Sequence, residues 1–140
     1  MMELLAFAFI LALFALLVFP TYQSHDDHEK AMTAANQFRE FASSFNTFAQ
    51  ANGSWPSHKS PSLLPAGMEG NLPGFTETTP IGGYWDWCTE PCGTKIQIHL
   101  VKPTVGLAVL EKIDFMLDDG SLDSGTMTGS EDRLSLNLKL

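Results

Sequence analysis

Residues 3–20 read ELLAFAFILALFALLVFP: one carboxylate at Glu3, sixteen apolar residues from Leu4 to Phe19, then Pro20. As α-helix the apolar run is ~24 Å long at about 1.5 Å per residue. A bilayer core asks for about 20 residues, and Met1, Met2 and the turn after Pro20 bring the segment into that range. A water-soluble domain would have to bury such a run, so the stretch reads as a membrane element. A cleavable secretory signal needs a basic start and a small-x-small cleavage site. Here Met-Met-Glu precedes the run, and Val18-Phe19-Pro20-Thr21 offers no such site. A plain signal anchor fits the hydropathy but leaves Glu3 unexplained, because a carboxylate in lipid is expensive and is usually retained where it meets a partner.

Beyond Pro20 the chain stays helical in pattern. Thr21–Lys30, TYQSHDDHEK, is a polar turn or two outside the membrane. His25 and Glu29 share a face and, with His28, Asp26 and Asp27, invite a metal reading; a solvated helix surface explains the same residues without a third ligand. From Ala31 the apolar positions are Ala31, Ala35, Phe38, Phe41 with Ala42, Phe45 and Phe48. Spacings of three and four predict an amphipathic helix, which Asn52-Gly53 stops. One helix of about fifty residues, bent near Pro20, is therefore expected to run from the membrane to a sheet supplied by the rest of the chain.

Composition bounds the remainder. Of 140 residues, about 120 are left for one small domain. A net charge of −8 argues against nucleic acid, which calls for a basic face. Residues 53–80 carry Pro56, Pro61, Pro65, Pro73 and Pro80 with four glycines, a density that forbids long helices and central strands. Leu63, Leu64, Met68, Leu72 and Phe75 are expected to pin this loop onto the domain. A lid over an active site is the other reading of it.

The motif TPIGGYWDW (79–87) predicts a turn at Gly82-Gly83 and a short strand. Its Tyr84, Trp85 and Trp87 either cover the phenylalanine stripe or bind a sugar. Cys88 and Cys92 are the only cysteines. Zinc with His99 is one use for them, and a disulfide-closed turn is expected if the domain lies outside the cytoplasm. Lys95–Val101, KIQIHLV, alternates as a half-buried strand with Gln97 and His99 on a solvated face. Thr104 is the expected N-cap of a second helix through Leu107, Leu110, Ile113 and Leu117. Arg133–Leu140, RLSLNLKL, is a last strand paired antiparallel beside KIQIHLV. The fold class is α+β, divided as 1–20 membrane helix, 21–52 the same helix outside it, and 53–140 a globular head. The spacing shows no nucleophile–base pair, paired catalytic carboxylates or phosphate loop, so an enzyme is not expected.

A glutamate opening an unbroken apolar helix, with a proline seventeen residues on and a tyrosine two beyond that, resembles the N-terminal helix of type IV pilins and type II secretion pseudopilins. Glu3, the Glu-Leu-Leu opening, Pro20 and Tyr22 carry the likeness, and joined to GGYWDW (82–87) it resembles prepilin-like proteins of environmental bacteria. The resemblance implies a structural filament subunit with no cofactor. Glu3 would neutralise the methylated terminal amine of a neighbour, and Pro20 would bend the helix as it leaves the bilayer. Its partners would be copies of itself and other pilin-like subunits, an inner-membrane assembly platform, a prepilin peptidase and lipid. It would reside in a bacterial inner membrane, single-pass with a periplasmic head, until drawn into a filament. The family's precursors carry a basic leader ending in glycine, which implies coding sequence upstream of Met1.

Acidic loops near the C-terminus bind calcium in some pseudopilins, which makes Asp118, Asp119 and Asp123 calcium candidates by resemblance. The residues alone do not reproduce an EF-hand loop, and Asp-Gly and Ser-Gly build turns without any ion. The contrasting function is a monomeric membrane-anchored periplasmic module that binds glycan or calcium through the Trp or Asp loops.

Overall fold

The apolar run and the phenylalanine stripe form one helix, α1 (Met2–Asn52), with Pro20 inside it. The structure, a computed structural model, describes residues 2–89 and 95–139, with side chains from residue 6 onward. Pro20 has no N–H to offer the Leu16 carbonyl, yet the helix continues through it. It ends where Gly53 adopts φ +70°, the left-handed conformation a helix C-terminus prefers.

Four strands and a second helix complete an α+β fold in the order α1, β1 (Tyr84–Cys88), β2 (Ile96–Val101), α2 (Leu107–Leu117), β3 (Met127–Ser130), β4 (Arg133–Leu138). The sheet order is β1-β2-β4-β3, antiparallel throughout. β2 and β4 pair as their alternation predicts, Ile96 opposite Leu138 through Val101 opposite Arg133. β3 has no counterpart in the sequence reading.

Registers carry the inward residues across the sheet in two rows, Trp85–Leu100–Leu134–Gly129 and Trp87–Ile98–Leu136–Met127. Against them α1 lays Ala31, Ala34, Ala35, Phe38, Phe41, Phe45 and Ala49, all buried. Trp85 takes Phe38 and Phe41 edge-on at centroid distances of 4.7 and 5.0 Å, and Trp87 stacks on Phe45 at 3.8 Å. Such pairs add about 0.5–1.5 kcal/mol each beyond their buried area. Tyr84 does not join them. A strand sends successive side chains to opposite faces, so Tyr84 lies on the outer face and only the tryptophans cover the stripe.

Residues 53–83 run along the β1 edge. Trp87 Nε1 donates to the Pro56 carbonyl at 2.9 Å, His58 Nδ1 bonds to the Trp87 carbonyl, and Ser62 N donates to the Trp85 carbonyl at 3.0 Å. Met68, Leu72 and Phe75 enter the core and Leu64 packs against it. Leu63, expected to do the same, is exposed; it follows Ser62, whose positive φ of 61° turns the chain outward. Gly83 (φ +76°) lies so close to β2 that a Cβ there would stand 2.1 Å from the Val101 carbonyl oxygen. At the opposite edge, Gly129 N of β3 donates to the Leu122 carbonyl at 2.8 Å.

The cap of α2 lies two residues after the expected one. Gly106 is the N-cap without a side-chain bond, because Thr104 Oγ1 donates instead to the Ile81 carbonyl at 3.1 Å. Its buried face is Val109, Leu110, Ile113 and Asp114, and Leu107 is exposed.

Candidate functional site

Three features of this fold are chemically distinctive: an apolar helix with nothing on it, a polar row on the outer sheet face, and a group of carboxylates.

The helix comes first. Every residue from 6 to 25 is exposed, including Phe9 (67%), Leu17 (72%) and Phe19 (73%). Its residues 6–19 are apolar on all faces, which a helix tolerates only inside a large core or a membrane. It is long and apolar enough to cross a membrane. Pro20 lies in its last turns. Glu3 lies in its first, with its side chain outside the described residues. Beyond it, Lys30 Nζ pairs with Asp26 at 2.6 Å and His25 Nδ1 meets Glu29 at 3.4 Å, a solvated helix surface. The Asp26 carboxylate raises the Lys30 pKa through that bond. Further along α1, His28 lines an apolar groove of about 500 Å³ with Ala108, Glu111, Lys112, Met116 and the exposed Phe115.

The second feature corrects the reading of His99 as solvated. Asp86, His99, Ser135 and Thr128 form one row across all four strands on the outer face. His99 and Ser135 are buried, and His99 Nδ1 bonds to Ser135 Oγ at 2.7 Å. Beside them Gln97 Nε2 donates to Asn137 Oδ1 at 2.8 Å, so polar partners cover one another across strands. Burial, with the Arg133 guanidinium adding to it, lowers the His99 pKa to about 4. Burial raises that of Asp86, against the pull of His58, the Trp87 N–H and Arg133.

The sheet thus joins a hydroxyl and an imidazole 36 residues apart, where spacing showed no such pair. A general base working near neutral pH needs a pKa near 7, and a nucleophile needs access. Both groups are buried, and their bond ties β2 to β4. Cys88 is buried at the end of β1, and Cys92 lies outside the described residues, so their pairing stays a proposal. Trp85 and Trp87 are buried and present no face to a sugar.

The third feature lies at the C-terminal end of α2. Asp114, Asp118 and Asp119 each place a carboxylate oxygen within 4.8 Å of the others. Asp118 and Asp119 were legible as an acidic loop, but Asp123 stands outside the group, and Asp114 takes its place. Asp114 is wholly buried. Its Oδ1 accepts from Gly120 N at 2.9 Å, while its Oδ2 is buried with no partner. Burial raises its pKa, and the Asp119 and Asp118 charges add to the effect. Two backbone N–H groups, of Met127 and Thr126, hold Asp118 below the usual carboxylate range. The signal for Asp114 was its place beside Ile113 on the buried stripe, where a carboxylate needs a reason to be.

Set beside known protein families, curated proteins and solved structures, the chain finds no match.

Proposed function

We propose that this chain is a pilin-like structural subunit, held in a bacterial membrane by the first third of α1 and assembled into a filament by packing of that segment against its copies. The observation that carries the reading is the unpartnered, all-round apolar segment of residues 6–19, continuous with a helix whose second half is a head-domain core. A helix built this way has two jobs: the far half fixes the head rigidly, and the near half meets lipid or other helices. Glu3 adds the direction, because a carboxylate at the start of that segment is stabilised only by a cation brought to it.

The head lies outside the cytoplasm in this reading, where Cys88 and Cys92 close a small disulfide turn. Its partners are copies of itself and other pilin-like subunits, an inner-membrane assembly platform and a prepilin peptidase. Type IV pilus and type II secretion filaments are the two assemblies that the resemblance offers.

Glu3→Leu tests the reading because anchoring and assembly predict opposite signs. An anchor gains from losing a charge that costs ~2.5–3.5 kcal/mol at a helix centre and less near its end. An assembling subunit loses roughly 3–5 kcal/mol when one partner of a buried pair is removed. The variant is expected to accumulate normally in the membrane and to be missing from sheared filaments and from neighbour crosslinks. Wild-type assembly by Glu3→Leu would replace the filament subunit with a membrane-anchored binding module.

A further inference from the structure

We infer that the last turns of α1 and the loop facing them hold a neutral sugar of one or two rings. The site is a cavity of about 570 Å³ lined by Ser43, Ser44, Thr47, Phe48, Asn52 and Asn71. The inference goes beyond the filament reading and stands whether or not the chain assembles. Small-molecule sites span about 300–1,000 Å³, so the cavity has the size for such a ligand.

The chemistry of the lining selects the class. Three hydroxyls, two amides and one aromatic ring converge, and no carboxylate, ammonium or guanidinium is among the lining residues, in a chain of net charge −8. A phosphate or carboxylate ligand would seek charged donors, which this lining lacks. A sugar hydroxyl both donates and accepts, and hydroxyl and amide side chains answer it in both senses. Internal bonds decide which atoms face the ligand in which sense. Thr47 Oγ1 donates to the Ser43 carbonyl at 2.8 Å, which leaves its lone pairs as acceptors. Asn52 Nδ2 donates to the Phe48 carbonyl at 2.9 Å, so its Oδ1 is an acceptor too. The Ser43 and Ser44 hydroxyls and the Asn71 amide supply donors.

Both walls are held in place. The α1 wall is anchored by Phe45, buried and stacked on Trp87 at 3.8 Å. In the facing loop the chain turns twice, with Met68 N donating to the Pro65 carbonyl at 3.1 Å and Asn71 N to the Met68 carbonyl at 3.0 Å. Met68 and Leu72 belong to the core, so Asn71 stands on backbone that the core fixes. Where the walls meet, Gly67 (φ +84°) comes so near Phe48 that a Cβ would stand 3.1 Å from its ring. A side chain there would press on the ring, and glycine leaves it in place. Walls fixed before binding spare the ordering cost that weakens flexible sites.

The test uses the full chain, nitrogen-15 labelled, in a sugar-free detergent such as lauryl dimethylamine oxide. Maltose, cellobiose and N,N′-diacetylchitobiose are titrated separately to about 20 mM, well above a dissociation constant of about 1 mM. At least one should saturably move the side-chain amide signals of Asn52 and Asn71 and the backbone signal of Gly67. Thr47→Trp fills the cavity from an exposed helix position and should abolish these shifts. Asn71→Ala should weaken binding about fivefold or more. Gln50→Ala, on the same helix but outside the lining, should leave it unchanged. Should Thr47→Trp misfold, Asn71→Ala decides alone. No saturable shift with any of the three sugars overturns the proposal, as do shifts that either variant leaves undiminished. Equal shifts with glycerol at the same molar concentration overturn it as well, and reduce the cavity to a surface that takes up any polyol.

Discussion

Residues 6–25 and residues 31–49 belong to one unbroken helix, and both are rich in phenylalanine, leucine or alanine, yet their surroundings are opposite. In the second stretch the apolar side chains recur at three and four, and Phe38, Phe41 and Phe45 are completely covered by Trp85, Trp87 and Phe75. In the first they occupy every face from residue 6 to 19, and the protein covers none of them. Helix propensity does not separate the two halves. Periodicity does: a stripe specifies a partner inside the same chain, whereas a cylinder that is apolar all round specifies an apolar medium or other helices.

The largest expected effect breaks this comparison outright if it fails. Phe41→Ala should destabilise the head by about 3–5 kcal/mol, the range for emptying a core phenylalanine site. Phe9→Ala, well before Ala31, where the core of this helix begins, should leave head stability unchanged. Denaturant unfolding of the full chain in detergent, followed by tryptophan fluorescence, reads both, since Trp85 and Trp87 sit against the stripe. Equal losses would mean that the halves are not energetically separate.

The next effect is a pH dependence confined to the head. His99 is lowered to about 4 in the folded protein against ~6.5 for an unperturbed imidazole. The unfolded chain therefore takes the proton first, so stability is complete above pH ~6.5 and declines as pH falls, levelling off below about 4. The separation is worth about 3 kcal/mol. Asp86, raised by burial, acts with the opposite sign, losing stability as pH rises through its folded value. His99→Gln should flatten the profile between pH 4 and 6.5, and an unaltered slope would place the titrating group elsewhere.

A smaller change isolates the sheet that the stripe docks on. Gly83→Ala drives a Cβ into the Val101 carbonyl at a positive φ, and a cost of about 1–3 kcal/mol is expected, with helicity by circular dichroism unchanged. Smallest of all, Asp26→Ala removes the half-exposed pair to Lys30. It should shift the unfolding midpoint by no more than about 0.5 kcal/mol of stability, because this segment lies between the two regimes and is held by neither.

Much of this architecture was legible because it rests on repeating patterns. Phe38, Phe41 and Phe45 announce a helix face, and Ile96, Ile98 and Leu100 announce a strand that needs its match in Leu134 and Leu136. β3 was not legible: Met127 is its single large apolar residue, and Gly129 and Ser130 read as turn. His99 was misread because alternation tells which face a residue takes but not what stands beside it. Ser135 covers His99, and only strand register makes them neighbours. The carboxylate group was half visible, since Asp118 and Asp119 are contiguous. Asp114 is one helical turn back from Asp118 and hidden among apolar positions, and Asp123, as close in sequence, is carried away by the loop.

The two borders of the sheet have a consequence for crowding. Strands that end a sheet normally offer free N–H and C=O groups as a template for another chain. Here the 53–83 loop takes the carbonyls of Trp85 and Trp87 on one side, and Leu122 takes the amide of Gly129 on the other. Among the described residues these bonds occupy part of the ladder on each side, which blunts both edges against edge-to-edge pairing when heads are pressed together.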